Sequence, residues 1–240
     1  GYPLSRTPLY ALLDQALRAQ EATREKEGER FYHARAYLGV LLHPYVKNIH
    51  TRGESAPTRV LTHLIEEKLR REGRTFVRPA DLEEDQGLWD GVEPGLALEL
   101  RRTLNLIHRT FFQALEGVKS ISGLARCLGD MVSLLVERSP LPHYPFSGEV
   151  LQRLFEVLEG LEGSLPSQEP MEGTELFELF RYYALTQRIP FAGTPLEGLQ
   201  VLGLLETRGL RFREVIVLDV NDEVIPDVAP YDPLLPPDLR

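Results

Sequence analysis

The feature that most constrains this chain is a long succession of helical stripes. Between about Thr7 and Gln187, apolar residues recur three to four positions apart, the spacing that places them on one face of an α-helix. The clearest stripe comprises Leu100, Leu104, Ile107, Phe111 and Leu115. We therefore predict a mainly helical fold across this region.

The predicted helices begin with one that Thr7 caps and in which Pro8 takes the first position, with Leu9, Leu12, Leu13 and Leu17 on its buried face. The others span about residues 30–48, 57–73, 100–115, 122–137, 147–158 and 174–183. Pro44 is expected to end or kink the second helix. Two stretches lack the pattern: residues 79–94, predicted as an acidic surface loop anchored by Trp89, and residues 160–173, predicted as a mobile loop.

The pattern also assigns individual residues to the core or to a helix cap. Val60, Leu61, Leu64 and Leu69 are the apolar positions of the helix over 57–73, and Ser147 is expected to cap the helix that follows it. Phe111, Phe155, Phe177 and Tyr183 stand at core spacing. We assign these aromatic residues to packing rather than to stacking on single-stranded nucleic acid.

The character of the chain changes after Pro190. Residues 199–205 are predicted to form one strand, and residues 215–220 (VIVLDV) a second strand of near-continuous apolar character. A strand without polar alternation is typical of burial on both faces of an α/β sheet. Two strands cannot build such a sheet alone. Since the chain also begins GYPLSRTP rather than with Met, we expect it to be a piece of a longer protein.

Charge and composition limit the possible partners and compartments. The net charge of −9 gives the chain no general attraction for nucleic acid, so DNA binding would require a local basic patch. Cys127 is the single cysteine, which excludes an internal disulfide and favours a reducing, cytoplasmic compartment. No apolar run approaches the roughly 20 residues that span a membrane, and no membrane partner is expected.

The stretch LQVLGLLETRGLRFREVIVLDVNDEVIP (199–226) resembles motif V and the following strand of the UvrD/Rep-type superfamily 1 DNA helicases. It is most similar to the AddB/RecB-like helicase–nucleases, which share a lead-in like PLEGLQ (195–200). The opening GYPLSRTPLYALL resembles the chain after motif IV of that family, and FYHARAYLGVLLHPYV (31–46) resembles one of its helical segments. The Bacteroidetes-type members, described as inactivated helicases fused to a PD-(D/E)XK nuclease, look most similar.

The resemblance implies a domain organisation. Residues 1–19 would be the edge of a RecA-like 2A core, residues 20–190 a helical 2B-type insertion, and residues 191–240 a partial 2A core that carries motif V. The implied fold class is mainly α, with a small partial α/β piece of two strands near the C-terminus. The implied parent is a bacterial helicase–exonuclease for double-strand break repair and recombination, which would use ATP and Mg²⁺ and act on DNA with a partner subunit.

The resemblance also implies a site where DNA and nucleotide meet. It places there Glu206, Thr207, Arg208, Gly209, Leu210 and Arg211. A glycine at 209 permits a tight turn close to a phosphate because it has no Cβ, and Arg208 would add charge-assisted hydrogen bonds. Phe212 is expected to pack under the turn.

Departures from the family pattern indicate a degenerate, non-motor module. Gly203 and Leu205 stand where the family has a hydroxyl and a histidine, and Arg211 replaces an acidic residue that helps to hold nucleotide. The sequence Asn-Asp-Glu at 221–223 stands where a Glu-Gly pair is usual. ATP contact through this motif is therefore not expected.

No catalytic centre is predicted within the chain. There is no Gly-x4-Gly-Lys phosphate loop, and no lysine follows Lys119, as a PD-(D/E)XK centre at Pro226-Asp227 or Pro237-Asp238 would require. The histidines lack the spacing of a zinc site. Asp219 and Asp222 could be a carboxylate pair at the end of a strand, although capping and turn formation are the simpler interpretation. We expect no catalytic residue, metal or cofactor.

Two basic clusters are candidates for contact with DNA phosphates. The first comprises Lys68, Arg70, Arg71, Arg74 and Arg78, and the second Arg101 and Arg102, followed on the same predicted helix face by His108 and Arg109. The alternative is a solvated helix face balanced by the acidic residues between Asp81 and Asp90.

Three functions remain open at this stage. The first is a non-catalytic accessory scaffold of the helicase–nuclease with sequence-independent DNA contact. The second is a protein–protein interaction module of an inactivated helicase subunit, which the net charge favours. The third is a metal-dependent hydrolase that uses Asp219 and Asp222.

Overall fold

The computed structural model describes residues 1–164, 168–190, 199–207 and 209–218. The chain divides into two units, Gly1–Ala192 and Gly193–Arg240. The first unit is mainly α, as the stripes predict. None of the helices within the described residues combines the length and the apolar composition needed to cross a lipid bilayer.

Helices dominate the first unit and short strands connect some of them. The helices are α1 (Pro8–Glu21), α2 (Ala34–Leu41), α3 (Pro44–Lys47), α4 (Ala56–Arg71), α5 (Pro79–Glu84), α6 (Pro94–Phe111), α7 (Ile121–Arg138), α8 (Ser147–Glu162) and α9 (Gly173–Thr186). The strands are β1 (Tyr2–Pro3), β2 (Thr23–Lys26), β3 (Glu29–His33), β4 (Phe76–Val77) and β5 (Arg188–Ile189). Strands β2, β3 and β4 form one antiparallel sheet, and β1 pairs with β5.

Helix α1 forms as the sequence predicts. The Thr7 hydroxyl accepts a hydrogen bond from the Tyr10 backbone N–H at 3.2 Å, and Pro8 occupies the first turn, where its missing N–H has no cost. The apolar stripe of α1 is buried in the core, and so is that of α6. Because an α-helix satisfies its own backbone hydrogen bonds, this local pattern is enough to specify it.

The helix predicted over 30–48 is partly wrong. Its first residues belong to β3, since Glu27 and Gly28 both have positive φ and form the tight turn of a β-hairpin. Helix α2 then ends at Leu41, and Pro44 begins the separate helix α3. His43 is extended there, because the ring of a following proline disfavours the helical conformation.

The loop predicted over 79–94 contains regular structure. Residues 79–84 form α5, and Gln86–Leu88 form a 3-10 turn. Trp89 is buried and anchors the segment, as predicted. The proline and acidic residues that suggested a loop are instead at a helix start: Pro79 is the first residue of α5 and Asp81 lies in its first turn, positions that helices favour.

Several residues that were predicted to be buried or to cap a helix do not do so in the structure. On α4 the buried residues include Leu61, Ile65 and Leu69, whereas Val60 and Leu64 are exposed. Tyr183 is exposed as well. The cap position of α8 is Phe146, and the Ser147 hydroxyl donates instead to the carbonyl of Pro142.

The described beginning and end of the helical unit lie side by side. Tyr2 pairs with Ile189 and Pro3 with Arg188, and the Leu4 N–H donates to the carbonyl of Gln187 at 3.0 Å. Arg153 adds a hydrogen bond from Nε to the carbonyl of Arg188 at 2.9 Å. Residues 19 and 20, between which the sequence analysis places a domain boundary, both lie in α1.

The second unit contains no strand within its described residues. Leu204–Thr207 form a 3-10 turn, and residues 199–203 and 209–218 are irregular. The prediction of strands over 199–205 and 215–220 is therefore wrong at the described positions. Residues 219 and 220 lie outside the residues that the structure describes. Ile216 is 85% exposed. A strand requires hydrogen-bonded neighbours, and the described part of this unit supplies none.

Candidate nucleic-acid interface

The motif V-like turn is closed by its own hydrogen bonds. The Gly203 N–H donates to Oε2 of Glu206 at 2.9 Å, and the Glu206 N–H donates back to the Gly203 carbonyl at 3.0 Å. The Leu210 N–H donates to the carbonyl of Thr207 at 3.1 Å. Glu206 is thereby used to cap the turn, so that part of its carboxylate is occupied within the chain.

Gly209 adopts the left-handed conformation, with φ of +76°, which a residue with a Cβ adopts at a cost. Among the described residues, no atom lies within 4 Å of the position that a Cβ would take there. The glycine is thus required by the turn itself, and its backbone is open to solvent. Arg208 lies outside the described residues.

The side chains that follow the glycine are accessible to solvent. Leu210, Arg211 and Phe212 are exposed. The exposed fraction of Phe212 is 41%, and its packing under the turn stays a prediction. The turn therefore presents an open backbone and exposed apolar side chains.

The first basic cluster is largely neutralised within the chain. Lys68 Nζ lies 2.6 Å from Asp85 Oδ2 and 2.8 Å from Glu72 Oε1, with only 17% of its side chain exposed. The hydrogen bonds that Lys68 donates to Asp85 and Glu72 raise the pKa of Lys68, and the bond to Asp85 lowers the pKa of Asp85. Lys68 is thus committed to a structural ion pair and is not free for phosphate.

Three arginines of this cluster are also ion-paired. Arg70 lies 2.6 Å from Glu66 and Arg74 2.6 Å from Glu72. Arg78 lies 2.6 Å from Asp81 and also pairs with Glu29. Asp81 and Asp85 belong to the acidic stretch that the sequence offered as the balancing charge. Glu66 and Glu72 lie instead on α4 and at its C-terminal cap.

Arg71 is the exception in the cluster. It is exposed, and the described part of the chain places no carboxylate within ion-pair distance of it. Its guanidinium therefore has the full charge available for an external anion.

The second basic cluster is divided between two environments. The Arg101 guanidinium lies over the Trp89 ring at 4.9 Å from the centroid, and its Nη2 donates to Gln86. Arg102 is 67% exposed and pairs with Glu99 at 2.9 Å, a surface contact of small energetic value. Arg109 is exposed. Arg101 thus stabilises the Trp89 anchor, while Arg102 and Arg109 face solvent.

His108 is not on the polar side of α6, as the sequence suggested, but fully buried. Its Nε2 lies 2.7 Å from the Tyr37 hydroxyl and its Nδ1 2.5 Å from Glu83 Oε1. Asn105 donates to the other oxygen of Glu83 at 2.8 Å. This network joins α2, α5 and α6.

The electrostatics of the network favour a neutral imidazole. Burial lowers the pKa of His108, although the hydrogen bond and charge of Glu83 oppose that effect. Burial would raise the pKa of Glu83, but hydrogen bonds from His108 and Asn105 outweigh it and lower that pKa. The arrangement holds three helices together and gives no access to a substrate. No local pattern reveals it, because its members are far apart in the sequence.

The structure offers no described metal centre. No group of three or more histidine, cysteine, aspartate or glutamate side chains is positioned for a metal within the described ranges. Cys127 donates to the carbonyl of Ala114 at 3.1 Å, and burial raises the pKa of its thiol, so it is not an activated nucleophile. Asp219 and Asp222 lie outside the described residues.

Comparisons with protein-family models, with curated proteins and with solved structures found no match to this chain.

Proposed function

We propose that the chain is a non-catalytic helical accessory module of a bacterial, AddB/RecB-like DNA helicase–nuclease that processes broken DNA ends for recombinational repair. The observation that best supports the module is the pairing of Tyr2–Pro3 with Arg188–Ile189. A helical unit that begins and ends at neighbouring strands can be inserted into a second domain without separating the strands of its host. The resemblance of residues 199–226 to motif V is our reason for proposing this host.

The exposed apolar run of the second unit also supports the proposal. Residues 215–218 form a run of four apolar side chains, all exposed. Exposing such a run to water costs roughly 25 cal/mol for each Å² of apolar surface. The run is suited to a central strand of a RecA-like sheet whose other strands come from the remainder of the parent, as the motif V resemblance implies.

DNA contact in this proposal is weak and independent of sequence. Arg71 is the cation of the first cluster without an ion pair in the described residues, and Arg102 and Arg109 are exposed on α6. Contacts of this kind neutralise phosphates without reading bases. The open backbone at Gly209 would add contacts to a phosphate.

A second function is favoured by the ion pairs of the basic cluster. Four of its five cations, Lys68, Arg70, Arg74 and Arg78, are neutralised by acids of the same chain. With a net charge of −9, a protein–protein interaction module of an inactivated helicase subunit is the alternative. Its partner would be another helicase or nuclease subunit.

Fluorescence anisotropy with a labelled duplex that carries a single-stranded extension distinguishes these functions. We expect a Kd of roughly 10–100 μM at low salt, weakening steeply as salt increases. Arg71→Gln should weaken binding by about threefold and reduce the salt slope by about one. Arg126→Gln, which removes an exposed charge of α7, is the matched control and should have no effect.

Failure to bind DNA at low salt would remove the DNA-contact part of the proposal. Co-purification of a partner subunit after nuclease treatment would then favour the interaction module. The helicase parentage has its own test in the coding sequence on either side of this segment. A phosphate-binding loop upstream and an acid-acid-lysine nuclease core downstream are expected, and their absence would refute it.

A further inference from the structure

A cavity of about 560 Å³ lies between α1, α2 and α4 of the helical unit. Ligand sites for small molecules have volumes of about 300–1,000 Å³ and mostly apolar walls with a few polar groups. Leu38, Leu42 and Leu69 contribute apolar walls here, and Arg35, Arg70 and Arg74 contribute guanidinium groups. The cavity thus combines an apolar surface with positive charge.

The charges of the cavity are not equally available. Arg70 and Arg74 are held by Glu66 and Glu72, each at 2.6 Å. Arg35 is exposed, and no described carboxylate forms an ion pair with it. One guanidinium therefore remains without a counter-charge beside apolar walls.

Two further polar groups border the cavity. His43 carries no charge at neutral pH, because burial lowers its pKa to about 4, and its Nδ1 already accepts from the Tyr45 N–H at 3.3 Å. The side-chain oxygen of Gln15 is buried and has no hydrogen-bond partner among the described residues, which is an uncommon and costly arrangement. Among the described residues, Arg35 is therefore the cation of the cavity that has no ion pair.

We propose that this cavity binds a small organic anion, in which one acidic group is carried on an aromatic or aliphatic body. The acidic group pairs with Arg35, since charge-assisted hydrogen bonds from a guanidinium suit carboxylate and sulfonate oxygens. The apolar body lies against Leu38, Leu42 and Leu69. The site lies entirely within the helical unit and does not depend on the function proposed above.

The test uses the full chain and the fluorescent probe anilinonaphthalene sulfonate, which has one acidic group on an aromatic body. We expect saturable fluorescence enhancement at one site, with a Kd of roughly 10–100 μM. Arg35→Gln should weaken binding by about tenfold. The matched control is Arg126→Gln, which makes the same change of charge on α7, outside the cavity.

A second variant fills the cavity without removing a charge. Gly39 lines it, and a Cβ placed there would lie 3.8 Å from Gln15 Oε1, an ordinary contact. Gly39→Leu also raises helix propensity within α2, so we expect a folded protein that no longer binds the probe. Gly39→Ala should retain binding within about twofold, since it adds one methyl group.

The outcomes separate this cavity from other binding surfaces. Loss of the probe signal in both Arg35→Gln and Gly39→Leu, with an unchanged thermal unfolding midpoint, supports the proposal. Binding that survives both substitutions would overturn it and would assign the probe to another apolar surface, such as the exposed residues 215–218. Absence of saturable binding would also overturn it. None of these results depends on DNA binding.

Discussion

Apolar side chains on the helical stripes are buried, whereas those of residues 215–218 are exposed. Leu104 on α6 is fully buried, whereas Ile216 is 85% exposed. A helix closes its backbone hydrogen bonds within one segment and needs only a packing partner for its stripe. A strand needs neighbours for its backbone as well. An apolar stripe at helical spacing therefore specifies both the structure and the burial of its segment, whereas an apolar run of strand length specifies neither by itself.

The largest expected effect on the free energy of unfolding comes from truncating a large side chain in the core, compared with truncating one in residues 215–218. Phe111→Ala removes a fully buried ring from the core, and should lower the free energy of unfolding by about 3–5 kcal/mol. Ile216→Ala should change it by less than about 0.5 kcal/mol, because the side chain is exposed. Chemical denaturation followed by circular dichroism measures both. A loss above 1 kcal/mol for Ile216→Ala would show that residues 215–218 are buried in solution.

The next effect concerns the acid sensitivity of the helical unit. Burial lowers the pKa of His43 from 6.5 to about 4. Between these values the unfolded chain binds a proton at His43 that the folded chain does not, so the free energy of unfolding falls as pH falls. The loss attributable to His43 should approach about 3 kcal/mol near pH 4. Denaturation at pH 7 and pH 4.5 measures most of it.

Two variants isolate that contribution. His43→Asn retains a side-chain acceptor for the Tyr45 N–H at the start of α3, and should make the pH dependence shallower. Some dependence will remain, since the folded-state pKa of His108 is also lowered. His63→Gln, at an exposed position of α4, is the control and should leave the dependence unaltered. The same slope in His43→Asn and the unmodified protein would contradict the assignment.

The helical stripes could be predicted because each depends on residues within a few turns. The α6 stripe and the α1 cap follow from local chemistry alone. The assignment of residues 30–33 to a helix failed for the opposite reason. Their strand β3 pairs with β2 across the turn at Glu27 and Gly28, and with β4 more than 40 residues later, in the register Tyr32 to Val77. The hairpin turn is a local signal, whereas no period within residues 30–33 reveals the pairing with β4.

The basic residues of the candidate site could be predicted from the sequence, but the ion pairs that neutralise them could not. The spacing of Lys68, Arg70 and Arg74 identifies a basic cluster, yet Lys68 is neutralised partly by Asp85, which the fold brings to it from beyond α5. His108 is a similar case. As a polar residue it was assigned to the solvent side of α6, and only Tyr37 and Glu83 explain its burial.

The smallest effect compares two residues that the sequence assigned the same role. Thr7 accepts a hydrogen bond from the Tyr10 N–H, whereas Ser147 makes no capping bond and contacts the carbonyl of Pro142 on the surface. Thr7→Ala should therefore lower the free energy of unfolding by about 1 kcal/mol, and Ser147→Ala by a few tenths of that at most. Thermal and chemical denaturation of the two variants, side by side, measures the difference. Equal losses would mean that Ser147 does cap α8 in solution, and that the left-handed Phe146 is not the residue at which that helix begins.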